Sequence, residues 1–178
     1  MNIIVGVGDL EVSAQPEDTL ITYALGSCLG IALYDPELSA GGLLHVMMPL
    51  SKSSPEKAKS RPAMFVDTGF ELLLRRMVEL GASREYLQIT VAGGASMKQA
   101  GNEDYFKIGQ RNITTLRKLL WKNGFIITNQ DIGGTRSRTM ALNLKNGLVT
   151  INKKPINTTH DRHEEPSGPD AGRYQSNR

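Results

Sequence analysis

The chain has 178 residues, 39% of them hydrophobic, and this length suits one domain with a substantial core. Its formal net charge of only +3 argues against nucleic acid as a partner, and no apolar run approaches the roughly 20 residues needed to span a bilayer. The N-terminus lacks the basic and apolar regions of a secretory signal, and a single cysteine excludes an internal disulfide, so we expect a cytoplasmic protein without membrane insertion.

Eight segments have the composition of strands, and many are joined by short turns that contain glycine or aspartate. They are Ile3–Val5, Thr19–Ala24, Leu29–Tyr34, Leu43–Met48, Leu87–Val91, Phe125–Thr128, Thr139–Leu144 and Leu148–Ile151. Because strands outnumber helices, the pattern favours an α+β fold with a mixed or antiparallel sheet over a doubly wound nucleotide-binding fold.

Two amphipathic helices interrupt the strands. The first is expected to begin with Asp67 as its N-cap and to stop at a left-handed Gly81, and the second is expected to close at Gly124. Their apolar faces are formed by Phe70, Leu73, Leu74 and Met77 in the first helix and by Ile113, Leu116 and Leu120 in the second. The polar stretch from 51 to 64, before the first helix, predicts a flexible surface loop.

The composition changes at about residue 151. Residues 1–151 are predicted to form the single domain, and residues 152–178, with few large apolar side chains and no periodicity, a flexible tail. The tail segment "HDRHEE" places His160 and His163 three residues apart, but no further ligands lie nearby, so we expect no metal site there.

Cys28 is the only cysteine, and it lies near His45 in "TYALGSCLGIALYDPELSAGGLLHVMMP". If the segments 19–23 and 27–34 pair as a hairpin, Gly26 takes the left-handed position of a three-residue loop and Thr22 lies opposite Cys28. A second hairpin, with Leu33 opposite Ala40, would place His45 opposite Cys28. A slip of one residue would turn His45 to the other face, so the sequence permits this cluster without requiring it.

Such a cluster would suit nucleophilic catalysis. An imidazole beside a thiol raises the thiolate fraction and later protonates the leaving group, and a Thr22 oxygen would orient the ring. Small residues beside the thiol, Gly26 and Ser27, would leave backbone N–H groups free as an oxyanion hole. The other interpretation is that Cys28 is a core residue, as most buried cysteines are.

Two glycine-rich segments remain. "VAGGASM" lacks the residues of a phosphate-binding loop, so we expect a tight turn at the end of a strand. "QDIGGTRSR" predicts either a surface turn or a polar rim in which Thr135 and Arg136 orient a substrate or partner.

Five stretches resemble the CheD family of chemoreceptor glutamine deamidases, in the order and spacing of that family. They are "TYALGSCLGIALYDP", "GGLLHVMMP", "AGGASM", "IGQRN" and "DIGGTRSR", within roughly Val5 to Ile151. Gln110 and Ser137 depart from the residues common at these positions, an acidic residue and glycine. The resemblance implies a layered α/β/β/α sandwich akin to toxin deamidases, with Cys28 as nucleophile, His45 as base and Thr22 as third member, and no metal or cofactor.

The implied reaction converts glutamine side chains on the cytoplasmic helices of chemotaxis receptors to glutamate through a thioester. The resemblance also implies docking to a CheC-type phosphatase that acts on the response regulator. Two other hypotheses are an adaptor that regulates receptors or that phosphatase by binding alone, and a redox-sensing thiol. The second of these would need an external thiol to resolve the oxidised cysteine, because the chain has no other cysteine.

Overall fold

Two β-sheets and three α-helices make up the computed structural model of the chain, which describes residues 1–97 and 106–156. The strands are β1 (Asn2–Ile4), β2 (Leu10–Ser13), β3 (Thr19–Leu25), β4 (Leu29–Asp35), β5 (Ala40–Val46), β6 (Gln88–Gly93), β7 (Asn129–Ile132), β8 (Arg136–Asn143) and β9 (Val149–Pro155). The helices are α1 (Pro55–Ser60), α2 (Val66–Glu79) and α3 (Ile108–Lys122).

The strands form a four-stranded sheet in the order β1-β3-β8-β9 and a five-stranded sheet in the order β2-β5-β4-β6-β7. The β1–β3 and β6–β7 pairs are parallel, and the other neighbouring strands are antiparallel. The predicted α+β class with mixed, largely antiparallel sheets is therefore confirmed. The long helices α2 and α3 pack on the outer face of the five-stranded sheet, whose inner face covers the other sheet.

Strand β4 runs through the middle of the five-stranded sheet and is buried on both faces, which explains its unbroken apolar sequence. Leu29, Ile31 and Leu33 belong to the core beneath the helices. Ala32 and Tyr34 belong to the second core, between the two sheets. Because side chains alternate along a strand, the even-numbered positions of β4 face the layer between the sheets.

The helix predictions are confirmed at their ends and wrong at one start. Gly81 and Gly124 follow α2 and α3 with φ of 101° and 75°, the left-handed conformation expected of them. Helix α2 begins at Val66, so Asp67 lies in its first turn and is not the N-cap. Its carboxylate instead accepts hydrogen bonds from the backbone N–H and the hydroxyl of Ser51, at 2.9 and 2.7 Å.

Three segments differ from the predicted elements. Strand β2 was not predicted, because its sequence "LEVS" is short and partly polar. Strand β7 begins directly after the predicted segment 125–128. Phe125 and Ile127 of that segment pack against the core beneath the helices, and the polar "NQDI" forms the sheet edge. The predicted loop at 51–64 contains α1 and two 3₁₀ turns.

Strand β9 pairs with β8 as far as Pro155, four residues beyond the predicted end of the domain. The remainder of the predicted tail, including "HDRHEE", lies outside the described residues from 157 onwards. None of the described helices has the length and apolar character required to cross a membrane.

Candidate active site

Strands β3 and β4 do not form the predicted hairpin. Strand β3 pairs with β1 and β8, whereas β4 pairs with β5 and β6 in the other sheet. The chain therefore crosses between the sheets just before Cys28. The left-handed residue of this crossing is Ala24, with φ of 56°, and not Gly26, and it accompanies a bulge in the pairing of β3 with β8.

The second predicted hairpin forms, with a register shifted by two residues. Leu33 lies opposite Gly42 instead of Ala40, and His45 lies opposite Gly30 instead of Cys28. A shift of two residues leaves every side chain on its predicted face. His45 and Cys28 consequently face the same layer between the sheets, at diagonal positions on neighbouring strands.

Thr22 reaches His45 from the opposite sheet. Its hydroxyl oxygen lies 2.7 Å from His45 Nδ1 and 2.8 Å from the carbonyl oxygen of Val5, and both side chains are fully buried. The carbonyl only accepts, so the single hydroxyl proton goes to Val5 and Nδ1 must donate to Thr22. This arrangement fixes the tautomer of His45 with its proton on Nδ1 and a lone pair on Nε2.

That Nε2 atom is buried and has no hydrogen-bond partner among the described residues. A buried polar atom without a partner is rare and costs about 1–3 kcal/mol, so its presence asks for a specific explanation. A lone pair on this atom is able to accept a proton from a thiol or to hold one for a leaving group.

The surroundings keep both the thiol and the imidazole uncharged. Burial lowers the pKa of His45 from 6.5 to about 4, although the negative charge of Asp9 works in the other direction. Burial also raises the pKa of the Cys28 thiol, partly offset by its own backbone N–H. Both shifts favour the uncharged forms, a neutral thiol and a neutral imidazole, whereas the pairing predicted from the sequence was expected to raise the thiolate fraction.

Cys28 is held by its backbone. Its carbonyl accepts a hydrogen bond of 2.8 Å from the N–H of Gly94, and the carbonyl of Gly26 accepts another of 2.8 Å from Ala95. The N–H groups of Ser27 and Cys28 have no backbone partner within the described part of the chain, whereas the N–H of Gly26, the other residue predicted at an oxyanion hole, donates to the carbonyl of Ala24 at 2.9 Å. A side chain at Gly93 would clash with the Cys28 carbonyl, so only glycine fits behind the loop.

Sequence reasoning missed Asn112, which lies behind the same loop on α3. Its side chain is fully buried, and Nδ2 donates to the carbonyls of Ser27 and Met47 at 3.0 and 3.2 Å. A signal was present, since Asn112 occupies the apolar stripe of a helix one turn before Leu116. A polar residue at such a position needs hydrogen-bond partners to be buried there.

Thr135 and Arg136 are exposed. They follow Gly133, whose N–H donates to the carbonyl of Gly93 at the end of β6, and Gly134, whose carbonyl accepts from the N–H of Ser96 in the loop after β6; that loop in turn bonds to the Cys28 loop. Strand β6 ends at Gly93, and Gly93 and Gly94 have positive φ of 111° and 65°, but residues 94–97 form no tight turn and bond instead to the Cys28 loop and to Gly134. Among residues 1–97 and 106–156, no three His, Cys, Asp or Glu side chains form a group suited to a metal ion.

The chain is similar to known proteins over most of its length. Residues 47–153 match a family model described as CheD chemotactic sensory transduction. A probable chemoreceptor glutamine deamidase CheD 1 of Syntrophus aciditrophicus is 45% identical over 84% of this chain and 92% of that protein. Probable chemoreceptor glutamine deamidases CheD of Solibacter usitatus and Pyrococcus abyssi are 46% and 42% identical, over 84% and 85% of this chain and 87% and 91% of theirs.

Proposed function

Because this chain belongs to the CheD family, we propose that it is a chemoreceptor glutamine deamidase that converts selected glutamine side chains on chemotaxis receptors to glutamate. The names of its relatives support this activity. The arrangement of Thr22, Cys28 and His45 supports a thiol mechanism, in which these residues are the third member, the nucleophile and the base.

The first half of the reaction forms a thioester. His45 Nε2 takes the thiol proton as Cys28 Sγ attacks the carbon of the substrate carboxamide, and the negative charge moves to the amide oxygen. Backbone N–H groups of the Cys28 loop donate to that oxygen. His45 then gives its proton to the departing nitrogen, the C–N bond breaks, and ammonia leaves.

The second half hydrolyses the thioester. Water attacks the same carbon while His45 Nε2 accepts one of its protons. The C–S bond breaks, the proton returns to Sγ, and the product is a glutamate side chain. Thr22 does not touch the substrate in this scheme, since it only holds Nδ1 of the imidazole and so keeps Nε2 in its basic form.

The observation that carries the mechanism is the threonine–histidine hydrogen bond. With Nδ1 donating to Thr22 at 2.7 Å, the bare Nε2 atom is the one left for the layer that Cys28 faces. A structural histidine in a core would be expected to have partners on both nitrogens.

We propose the cytoplasmic helices of chemotaxis receptors as the substrate, and the cytoplasm as the location of the reaction. A CheC-type phosphatase as an additional partner stays a prediction from the resemblance.

The test is mass spectrometry of a receptor cytoplasmic fragment after incubation with the wild-type protein, Cys28→Ala and Cys28→Ser. We expect a mass increase of about 1 Da at specific glutamines with the wild type alone, because neither variant has a thiol. Thermal melting of all three proteins checks that the fold is retained.

Equal conversion by the wild type and Cys28→Ala would overturn the thiol mechanism. No conversion by any protein, with equal binding of the fragment by all three, would favour the adaptor hypothesis and return Cys28 to the role of a core residue.

A further inference from the structure

We propose that Asn112 is a positioning residue for acyl transfer at Cys28, which fixes the Ser27–Cys28 peptide so that the Cys28 N–H serves as an oxyanion donor. This inference rests on the proposed function in one respect only, namely that the natural substrate is an amide. Its geometry concerns any reaction in which Cys28 attacks a carbonyl group.

The orientation follows from the planarity of one peptide group. Asn112 Nδ2 donates to the carbonyl of Ser27 at 3.0 Å, and this carbonyl belongs to the same peptide as the N–H of Cys28. The peptide is trans, so its carbonyl and N–H point in opposite directions. With the carbonyl directed to α3, the N–H is directed away from the helices and towards the layer that the Cys28 side chain faces.

The N–H that this orientation directs into the layer belongs to Cys28 itself, the residue that carries the thiol. A donor that lies near Sγ also lies near the oxygen of a carbonyl whose carbon is bonded to Sγ. Hydrogen bonding of Asn112 at the other end of the peptide polarises the group and strengthens this donor.

Asn112 also connects the two strands that carry the reacting groups. The Met47 carbonyl, which accepts from the same Nδ2 at 3.2 Å, lies two residues after His45 on the chain leaving β5. One amide group therefore sets the separation of the Cys28 loop and the end of β5. The arrangement leaves Asn112 Oδ1 buried and without a partner among the described residues, a cost that an apolar side chain would avoid.

The experiment compares two reactions of Cys28 that differ in whether an oxyanion forms. Iodoacetamide alkylates the thiol by displacement of iodide at an sp³ carbon, with no oxyanion. With p-nitrophenyl acetate, Sγ attacks the ester carbonyl, an oxyanion forms, and p-nitrophenolate leaves. Cys28 is the only cysteine, and subtraction of the rates of Cys28→Ala isolates its contribution to both.

For Asn112→Ala and Asn112→Leu we expect acylation to slow by about 10- to 100-fold, less than the loss of up to about 1000-fold when an oxyanion donor is deleted outright. Alkylation should change by less than about threefold, since the effect acts on the oxyanion. The leucine variant keeps the branching and the number of side-chain heavy atoms at the buried position and removes both polar atoms. Asn123→Ala is the matched control, because Asn123 follows the same helix, is exposed, and its side chain donates to the carbonyl of Leu119 in that helix. It should leave both rates unchanged.

If the rates of acylation and alkylation fall in parallel in both variants, Asn112 only places the thiol. If the rate of acylation is unchanged, Asn112 has no role in the reaction. Either result overturns the proposal. Thermal melting must show each variant folded at the assay temperature, because an unfolded fraction exposes the thiol to iodoacetamide and would imitate a selective loss of acylation. Wild-type protein that deamidates no receptor fragment would overturn the proposed function, while a selective loss of acylation would still support the role of Asn112.

Discussion

Two polar bridges join the same pair of sheets, and they differ in how completely they are satisfied. In the arginine–aspartate bridge, Arg138 of β8 donates to Asp131 of β7 at 3.0 Å and to the carbonyl of Arg136, while Lys153 occupies the second oxygen of Asp131 at 2.9 Å. In the threonine–histidine bridge, Thr22 of β3 meets His45 of β5, and one nitrogen of the imidazole has no partner.

The two bridges differ in whether every buried polar atom has a hydrogen-bond partner. Within the described residues, the buried side-chain atoms without partners are His45 Nε2 and Asn112 Oδ1, and both residues adjoin Cys28 through the neighbouring strand or the loop. A bridge that only stabilises the sheets is expected to use every donor and acceptor it buries. Incomplete bonding at this end of the layer is what we expect if the proposed reaction takes place beside Cys28.

Breaking the arginine–aspartate bridge should give the largest loss of stability. In Asp131→Ala the guanidinium of Arg138, only 4% exposed, is left without its carboxylate. Burial works to raise the pKa of Asp131, but hydrogen bonds from Lys153 and Arg138 outweigh it and lower the pKa, which shows that the carboxylate is favoured in its charged form. We expect the free energy of unfolding to fall by about 3–5 kcal/mol, measured by urea titration.

Deamidation per folded molecule should stay within about threefold of the wild type in this variant, because among the described residues no hydrogen bond or ion pair joins the bridge to Cys28. The double variant Asp131→Ala/Arg138→Met is the control, since methionine fills the space of the arginine stem without a charge and should recover much of the loss. A variant with intact stability and no activity would reverse the assignment of the two bridges.

Acid should weaken the protein through the threonine–histidine bridge. Above pH 6.5 His45 is neutral in both the folded and the unfolded chain. Between pH 6.5 and about 4 the unfolded chain binds a proton at His45 and the folded chain does not, so stability falls as the pH falls. The full loss, reached below about pH 4, is about 3 kcal/mol at 1.36 kcal/mol per pKa unit.

The measurement is urea unfolding at pH 7 and pH 4 for the wild type and His45→Asn. Asparagine keeps a donor for Thr22 at the position of Nδ1 and does not titrate, so its loss between these pH values should be smaller by about 3 kcal/mol. Equal losses in the two proteins would mean that His45 is protonated in the folded state with its ordinary pKa.

The sequence predicts the elements of this site better than their pairing. The strands that carry Thr22 and His45, and the strand that follows Cys28, can be predicted from local composition. The shared face of Cys28 and His45 holds because the register differs by an even number of residues. The expected β3–β4 hairpin was wrong because local turn chemistry does not reveal a competing partner. Strand β3 instead pairs with β8, more than 100 residues later in the chain.

Asn112 illustrates a second kind of limit. Its position on the apolar stripe of α3 is readable from the sequence, but its acceptors, the carbonyls of Ser27 and Met47, are backbone atoms from distant segments that any residue type carries. Thr22, in contrast, was predicted as the partner of His45 from its chemistry, although the contact is made across the layer between the sheets and not along one sheet.

The smallest expected effect comes from removal of the Thr22 hydroxyl. It tests whether the hydrogen bond between Thr22 and His45 keeps the imidazole proton on Nδ1. Valine at this position has the same shape without the oxygen, so Nδ1 loses its acceptor and the imidazole proton is free to occupy Nε2. We expect kcat of deamidation to fall by about 10- to 100-fold, less than the roughly 10,000-fold that follows when the wrong tautomer dominates in a serine protease.

Thr22→Ser restores both hydrogen bonds and should return kcat to within about threefold of the wild type. Thr90→Val, the same change at a buried threonine on β6, should leave kcat unaltered. A loss in Thr22→Val that serine does not restore would show that the methyl group packs the site and that the hydroxyl has no part in directing the proton.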